Sequence, residues 1–168
     1  MRFEAEHHFP ASCARVVGIL CDPDFHTGLD LPDLSRPEVV ASTADGTLRS
    51  LRLRYRYVGH LDPVARKILS GRTLSWIQEL RIDSATGQGS LSFEAEADAD
   101  RLNGNATVTV TATNGATHVR RRIAGDFHVR VPLVGGTAER RIVPGLVRRL
   151  DVEAAALSAE LTSRSRSE

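Results

Sequence analysis

The hydrophobic pattern of this chain changes period once, at Gly135-Gly136, and that change limits the fold more than any other feature. Before it, apolar residues recur at every second position over many short segments, as strands require when successive side chains point to opposite faces. After it, Ile142, Val143, Leu146, Val147, Leu150, Ala154, Leu157 and Leu161 form one stripe at helical spacing, which predicts a long amphipathic helix. Pro144 lies inside the stripe and lacks a backbone N–H, so it is expected to kink the helix or to start its main segment. The tail over 163–168, alternating Ser and Arg, is expected to fray.

The segments before the switch read as follows. Residues 2–9 place Phe3, Ala5, His7 and Phe9 on one face, and Pro10 ends the strand. Ser12 is a natural N-cap for a helix of about ten residues carrying Cys13, Val16, Val17, Leu20 and Cys21 on one side. Asp22–Leu34 reads as a short helix or a turn. Strands around 37–44 and 47–58 meet at Asp45-Gly46, a tight-hairpin signal; the second carries Leu51, Leu53, Tyr55 and Tyr57 on one face and Arg52, Arg54 and Arg56 on the other. A helical turn over 62–69 begins at Pro63. A strand over 72–82 follows, with Leu74, Trp76, Gln78, Leu80 and Ile82 on one face. Two further strands carry Leu91, Phe93, Ala95 and Ala97, then Ala106, Val108, Val110 and Ala112. Asn114-Gly115 is the second hairpin signal. The last strand, 117–131, turns Val119, Arg121, Ile123, Phe127 and Val129 one way and His118, Arg120, Arg122, Asp126 and His128 the other. Strands with one apolar and one polar face belong to an antiparallel sheet packed on one side, and the long helix is its natural cover. The predicted class is α+β: a curved antiparallel sheet of about seven strands wrapped around a long C-terminal helix, in a single domain over 1–162.

Composition excludes several classes. The formal net charge is +1, which gives no reason to expect nucleic acid as a partner. No stretch approaches the roughly 18 apolar residues that span a bilayer, so stable membrane insertion is not expected, and the charged N-terminus does not read as a secretion signal. Cys13 and Cys21 lie about 12 Å apart on one predicted helix, too far for a disulfide, as suits a reducing cytoplasm.

Few residues carry legible chemistry. His7 and His8 point to opposite faces of a strand, and His118 and His128 sit ten residues, roughly 33 Å, apart on another; neither pair has ligand spacing, and no metal or cofactor is expected. Ser12 reads as a cap, the cysteines as core, and Gly135-Gly136 as a sharp strand-to-helix turn rather than a phosphate site. The outward arginines Arg52, Arg54, Arg56, Arg120 and Arg122 read, beside Glu94, Glu96 and Asp98, as a mixed solvated face. The informative residues are polar groups on the inward face: His7, Gln78 and Arg121, with Tyr55, Tyr57, Trp76 and Phe127. A buried arginine needs a carboxylate or water, unless a bulge near Arg120–Arg122 turns it outward.

Several local pieces carry a family resemblance: His7-His8-Phe9-Pro10-Ala11-Ser12 with Val16, Leu20-Cys21-Asp22 with Phe25, Asp45-Gly46, Pro63 to Lys67, Trp76, and above all Val131-Pro132-Leu133-Val134-Gly135-Gly136 followed by Glu139. Together, over about residues 2–160, they resemble the bacterial domain-of-unknown-function family 2505 within the START-like (SRPBCC, birch-pollen-allergen-like) superfamily. That resemblance implies a helix-grip fold with a deep apolar cavity between sheet and helix. The superfamily includes lipid carriers, polyketide cyclases, ring-hydroxylase subunits and chaperone regulators, so it does not imply one chemistry. With no catalytic set legible, the expected role is to bind or carry an apolar small molecule, a lipid or polyketide-like compound, in a cavity lined by His7, Tyr55, Tyr57, Trp76, Gln78, Arg121 and Phe127. The alternatives are a cyclase or dehydratase using His7 or Tyr55 as general acid/base, and a protein-interaction module with a filled interior and an exposed apolar patch. Oligomeric state is not legible.

Overall fold

A computed structural model describes every residue except 62, 64, 65, 67, 68, 70, 98, 167 and 168, and the backbone alone at 165 and 166. Strand β1 (Arg2–Phe9) is followed by helices α1 (Cys13–Leu20) and α2 (Pro23–Thr27), then by β2 (Glu38–Asp45), β3 (Leu48–Arg56), β4 (Ser75–Asp83), β5 (Gln88–Ala95), β6 (Leu102–Thr113) and β7 (His118–Val129), and by the long helix α3 (Gly135–Arg166). The seven strands form one antiparallel sheet in the order β1-β7-β6-β5-β4-β3-β2. Most of the predicted helical turn over 62–69 lies outside the described residues. Among the described residues, no helix is long and apolar enough to cross a membrane.

Local chemistry explains the boundaries. Ser12 caps α1, its hydroxyl accepting from the Arg15 N–H, and Asp22 caps α2 with Pro23 in the first turn; the stretch after Cys21 is thus a short helix. The hairpin turns differ from the simplest expectation. Asp45 pairs with Leu48, so the two-residue loop is Gly46-Thr47, with Gly46 at φ +56°. Asn114-Gly115 opens a longer loop, since Thr113 pairs with His118 and Ala116 also takes a positive φ of 68°. A bulge between Val39 and Ala41 interrupts the pairing of β2 with β3.

Two apolar clusters fill the concave side. The larger joins Phe3, Phe9, Val17, Ile82, Val108, Ile123 and Leu157; the smaller joins Leu29, Leu31, Leu51, Leu53 and Tyr55. The expected helix stripe supplies the cover: Val143, Leu150, Ala154, Leu157 and Leu161 are buried. At the outer face Arg54 meets Glu38 and Glu96, Arg52 meets Glu79 and Arg122 meets Glu4, an interleaved and solvated arrangement. Both cysteines are free and partly buried; burial lifts the Cys21 thiol to about 11, which suppresses its reactive thiolate.

Two features of helix α3 bear on its length and its course. Its backbone is helical as far as Arg166, and Arg164 reaches both Glu160, one turn back, and Asp22 beyond α1. It also runs through Pro144, where the missing N–H costs one rung of the ladder. Gly145, next in line, is exposed, and a Cβ there would meet no atom within 4 Å. Gly145→Ala is therefore expected to stabilise the protein by about 0.5–1 kcal/mol, read as a higher urea midpoint at constant slope. A lower midpoint would mean that the backbone at 145 is not ordinary helix.

Candidate ligand site

β1 and β7 are neighbours, and their register sets His7 opposite Arg121. Both have the inward parity of Phe9 and Ile123. The pairing of β7 with β1 and with β6 runs without interruption past Arg121, so no bulge turns the arginine outward; it is 1% exposed. Its counter-charge comes from α3. Arg121 Nη1 donates to Glu153 Oε1 at 2.6 Å, and Nη2 donates to His7 Nδ1 at 3.1 Å and to the Leu150 carbonyl at 3.4 Å. The other ring nitrogen, His7 Nε2, lies 2.9 Å from Asp151 Oδ1. An arginine cannot accept a hydrogen bond, so Nδ1 must accept, and the ring proton sits on Nε2 and is donated to Asp151. Burial, helped by the Arg121 charge, pushes His7 below the ordinary imidazole range against the pull of Asp151, as this neutral tautomer requires. The guanidinium carbon of Arg121 also lies 5.7 Å from the centre of the Phe9 ring.

A second buried arginine stands one helical turn before Glu153. Arg149 Nη2 donates to the Gln78 side-chain oxygen, and its guanidinium lies over Tyr55 and Phe93, 5.1 and 5.6 Å from the ring centres. Tyr55 in turn stacks on Trp76 at 5.7 Å, 20° from parallel. Burial raises the Tyr55 phenol to about 12, so it is a neutral donor at ordinary pH. Burial also opposes ionisation of Glu153, but Arg121, His26 and Arg149 outweigh it and hold the carboxyl below its usual range.

The polar atoms of this cluster outnumber their protein partners. Arg121 Nε, Arg149 Nη1, His26 Nδ1 and Tyr55 Oη are buried and have no hydrogen-bond partner among the described residues. Arg121, Glu153, His26 and Gln78 border a small void of about 20 Å³, whose other lining residues are apolar. His26 is tied there by its other nitrogen, Nε2, 2.8 Å from the Leu20 carbonyl. A larger cleft of about 50 Å³ is bordered by Leu74, Ala95, Leu102, Val129 and Val131. The void is room for a water molecule or two, far short of the deep cavity that the superfamily resemblance implies.

The seven residues singled out from the sequence fall into three groups. His7 and Arg121 touch directly. Gln78 and Tyr55 gather on Arg149, with Trp76 stacked on Tyr55, and Gln78 borders the same void as Arg121. Tyr57 and Phe127 stand apart: β3 ends at Arg56, leaving Tyr57 half-buried with its hydroxyl donating to the His60 carbonyl, and Phe127 packs in the core without bordering the void. Sequence reasoning missed Arg149, Glu153, Asp151 and His26. A faint signal was present for two of them: Arg149 and Glu153 stand four residues apart along one edge of the stripe of Leu146, Leu150, Ala154 and Leu157. Among the described residues no group of His, Cys, Asp and Glu could hold a metal ion, and His118 and His128 are exposed.

Comparison with known proteins bears on the fold. The Thermus thermophilus protein TTHA0849 superposes with a TM-score of 0.68 at 18% identity, over 98% of this chain and 99% of that one. The norcoclaurine synthase of Thalictrum flavum, solved in complex with dopamine and hydroxybenzaldehyde, gives 0.65 at 16% identity, over 97% and 87%. The Zhui aromatase/cyclase of Streptomyces sp. R1128 gives 0.59 at 14% identity, over 98% and 95%. The architecture is thus the START-like, birch-pollen-allergen-like helix grip. No curated protein matches the chain. A family model, protein of unknown function (DUF2505), matches residues 4–160, and the chain belongs to that family.

Proposed function

We propose that this protein binds a small amphipathic molecule, a lipid or polyketide-like compound, between the sheet and α3, and holds or carries it. The observation that carries this reading is the unsatisfied polar cluster. Native interiors pair nearly all their buried polar groups, yet four side-chain nitrogens and oxygens here are buried with no hydrogen-bond partner among the described residues. A few placed polar groups in an apolar enclosure are what a ligand pocket offers. Burial of the ligand's apolar surface, at about 25 cal/mol/Å², supplies the driving force. Anything larger than water requires α3 to draw back from the sheet, and Pro144-Gly145 is where that helix resists bending least. Two solved proteins of the same fold, an aromatase/cyclase and a norcoclaurine synthase in complex with dopamine and hydroxybenzaldehyde, support the choice of ligand size.

A carrier fits better than a cyclase or dehydratase. Both nitrogens of His7 are occupied, by Arg121 and Asp151, leaving none for a substrate proton. Tyr55, at about 12, is a poor base at neutral pH. Native mass spectrometry of the protein as expressed, followed by titration with a panel of fluorescent fatty acyl and aromatic probes, tests the reading. Co-purifying ligand or saturable binding is expected. A protein that is always ligand-free and binds no probe saturably overturns it.

A further inference from the structure

The interior of this protein holds more positive charge than negative. Three charged residues are buried between sheet and helix: Arg121, Arg149 and Glu153, at 1%, 8% and 7% exposure. Glu153 is spent on Arg121, with which it makes the 2.6 Å contact. Asp151 lies at the rim, its side chain 59% exposed, and is turned to His7. Arg149 makes no ion pair among the described residues. Among these residues its hydrogen-bond partner is the neutral amide oxygen of Gln78, its Nη1 has none, and its guanidinium lies over the faces of Tyr55 and Phe93. Ring faces attract a cation, but far more weakly than an anion does in a medium this dry. A desolvated guanidinium with no carboxylate in contact is a costly arrangement, even with Glu153 one helical turn away.

We propose that the ligand's polar end is a carboxylate, and that Arg149 is the residue that takes it, the Gln78 amide oxygen holding the same place until the ligand arrives. This rests on the reading that a small molecule enters beneath α3. Three features select the carboxylate. It brings the missing negative charge. Its two oxygens in a plane match the guanidinium fork, with Nη1 already free and Nη2 released from Gln78. The space is small: Gln78, whose amide oxygen Arg149 now holds, also borders the void of about 20 Å³, and a planar carboxylate needs less room there than a tetrahedral phosphate. The neutral Tyr55 hydroxyl, unpartnered beside Arg149, is a further donor for the same group. The apolar tail then lies along the helix stripe.

The test compares two probes that differ only at the head, decanoate and decan-1-ol, each titrated below its micelle or solubility limit at pH 7.5. Trp76, the single tryptophan and stacked on Tyr55, reports occupancy by its fluorescence, and calorimetry checks it. Wild-type protein is expected to bind decanoate at least tenfold more tightly than decan-1-ol. Arg149→Met keeps the length of the side chain and removes the charge; it is expected to abolish that preference while leaving decan-1-ol affinity within about threefold. Equal affinity of the wild type for the two probes, or a preference that survives Arg149→Met, overturns the proposal and leaves the binding function standing. Saturable binding of neither probe overturns both. The wild-type comparison decides the matter on its own if the variant does not fold.

Discussion

Replacing Glu153 with alanine is expected to destabilise the protein by about 3–5 kcal/mol, the range for breaking a buried ion pair from one side. The substitution strands Arg121, 1% exposed, with only His7 and a backbone carbonyl to face. Equilibrium urea denaturation measures it. The attraction between the partners is separable from the cost of stranding one: the double variant Arg121→Met with Glu153→Leu fills the same space with apolar atoms and is expected to recover most of the loss or to exceed the wild type. A Glu153→Ala loss below about 1 kcal/mol would show the pair to be hydrated. Acid stability adds a second readout. The folded-state carboxyl of Glu153 is held below its unfolded value by the neighbouring cations, so its contribution is fully present above the unfolded value of about 4.3 and is lost as pH falls from there through the folded value. Glu153→Gln is therefore expected to flatten the acid limb of the stability curve in that window and to leave its shape near neutrality unchanged.

Gly135→Ala is expected to cost about 1–3 kcal/mol or more, while Gly136→Ala, one residue on, is expected to be neutral or mildly stabilising. A Cβ at Gly135 would lie 2.2 Å from the Val129 carbonyl oxygen, a backbone atom that cannot move aside, whereas a Cβ at Gly136 would meet only the flexible end of Arg140 at 3.7 Å. The first is an overpacking clash; the second exchanges a poor helix former for the best. Gly135 has no slack because Glu139, one turn into α3, accepts a hydrogen bond from the Val129 N–H at 2.9 Å, so the end of β7 is held to the start of α3 from both sides. Equal midpoints for the two variants in thermal unfolding would contradict this account of the turn.

Most of the fold was legible because it depends on period, and period is a local property. Strand parity placed Arg121 inward, and the continuous register of β7 kept it there. The resemblance then named the same architecture that the solved relatives show. The site was only half legible. Strand residues such as His7, Gln78 and Tyr55 announce themselves by breaking an apolar face, but their partners on α3 lie at the border of a helical stripe, where a charged residue passes for surface. Arg149 and Glu153 become buried only because the curved sheet wraps further round the helix than a flat one would. Tyr57 lies at the end of β3, pairing with Leu34, and alternation alone carries no mark of where a strand stops.

The bulge at Val39–Ala41 bears on how the protein behaves in a crowded solution. β2 is an outer strand of the sheet and pairs on one side with β3; Val39 and Val40 are each 39% exposed. An outermost strand with exposed valines is a template onto which another copy can add its own strand, the first step toward fibrous aggregation. One extra residue in the ladder twists that rim and spoils the spacing of its free N–H and C=O groups, so the same two valines present no continuous row to copy.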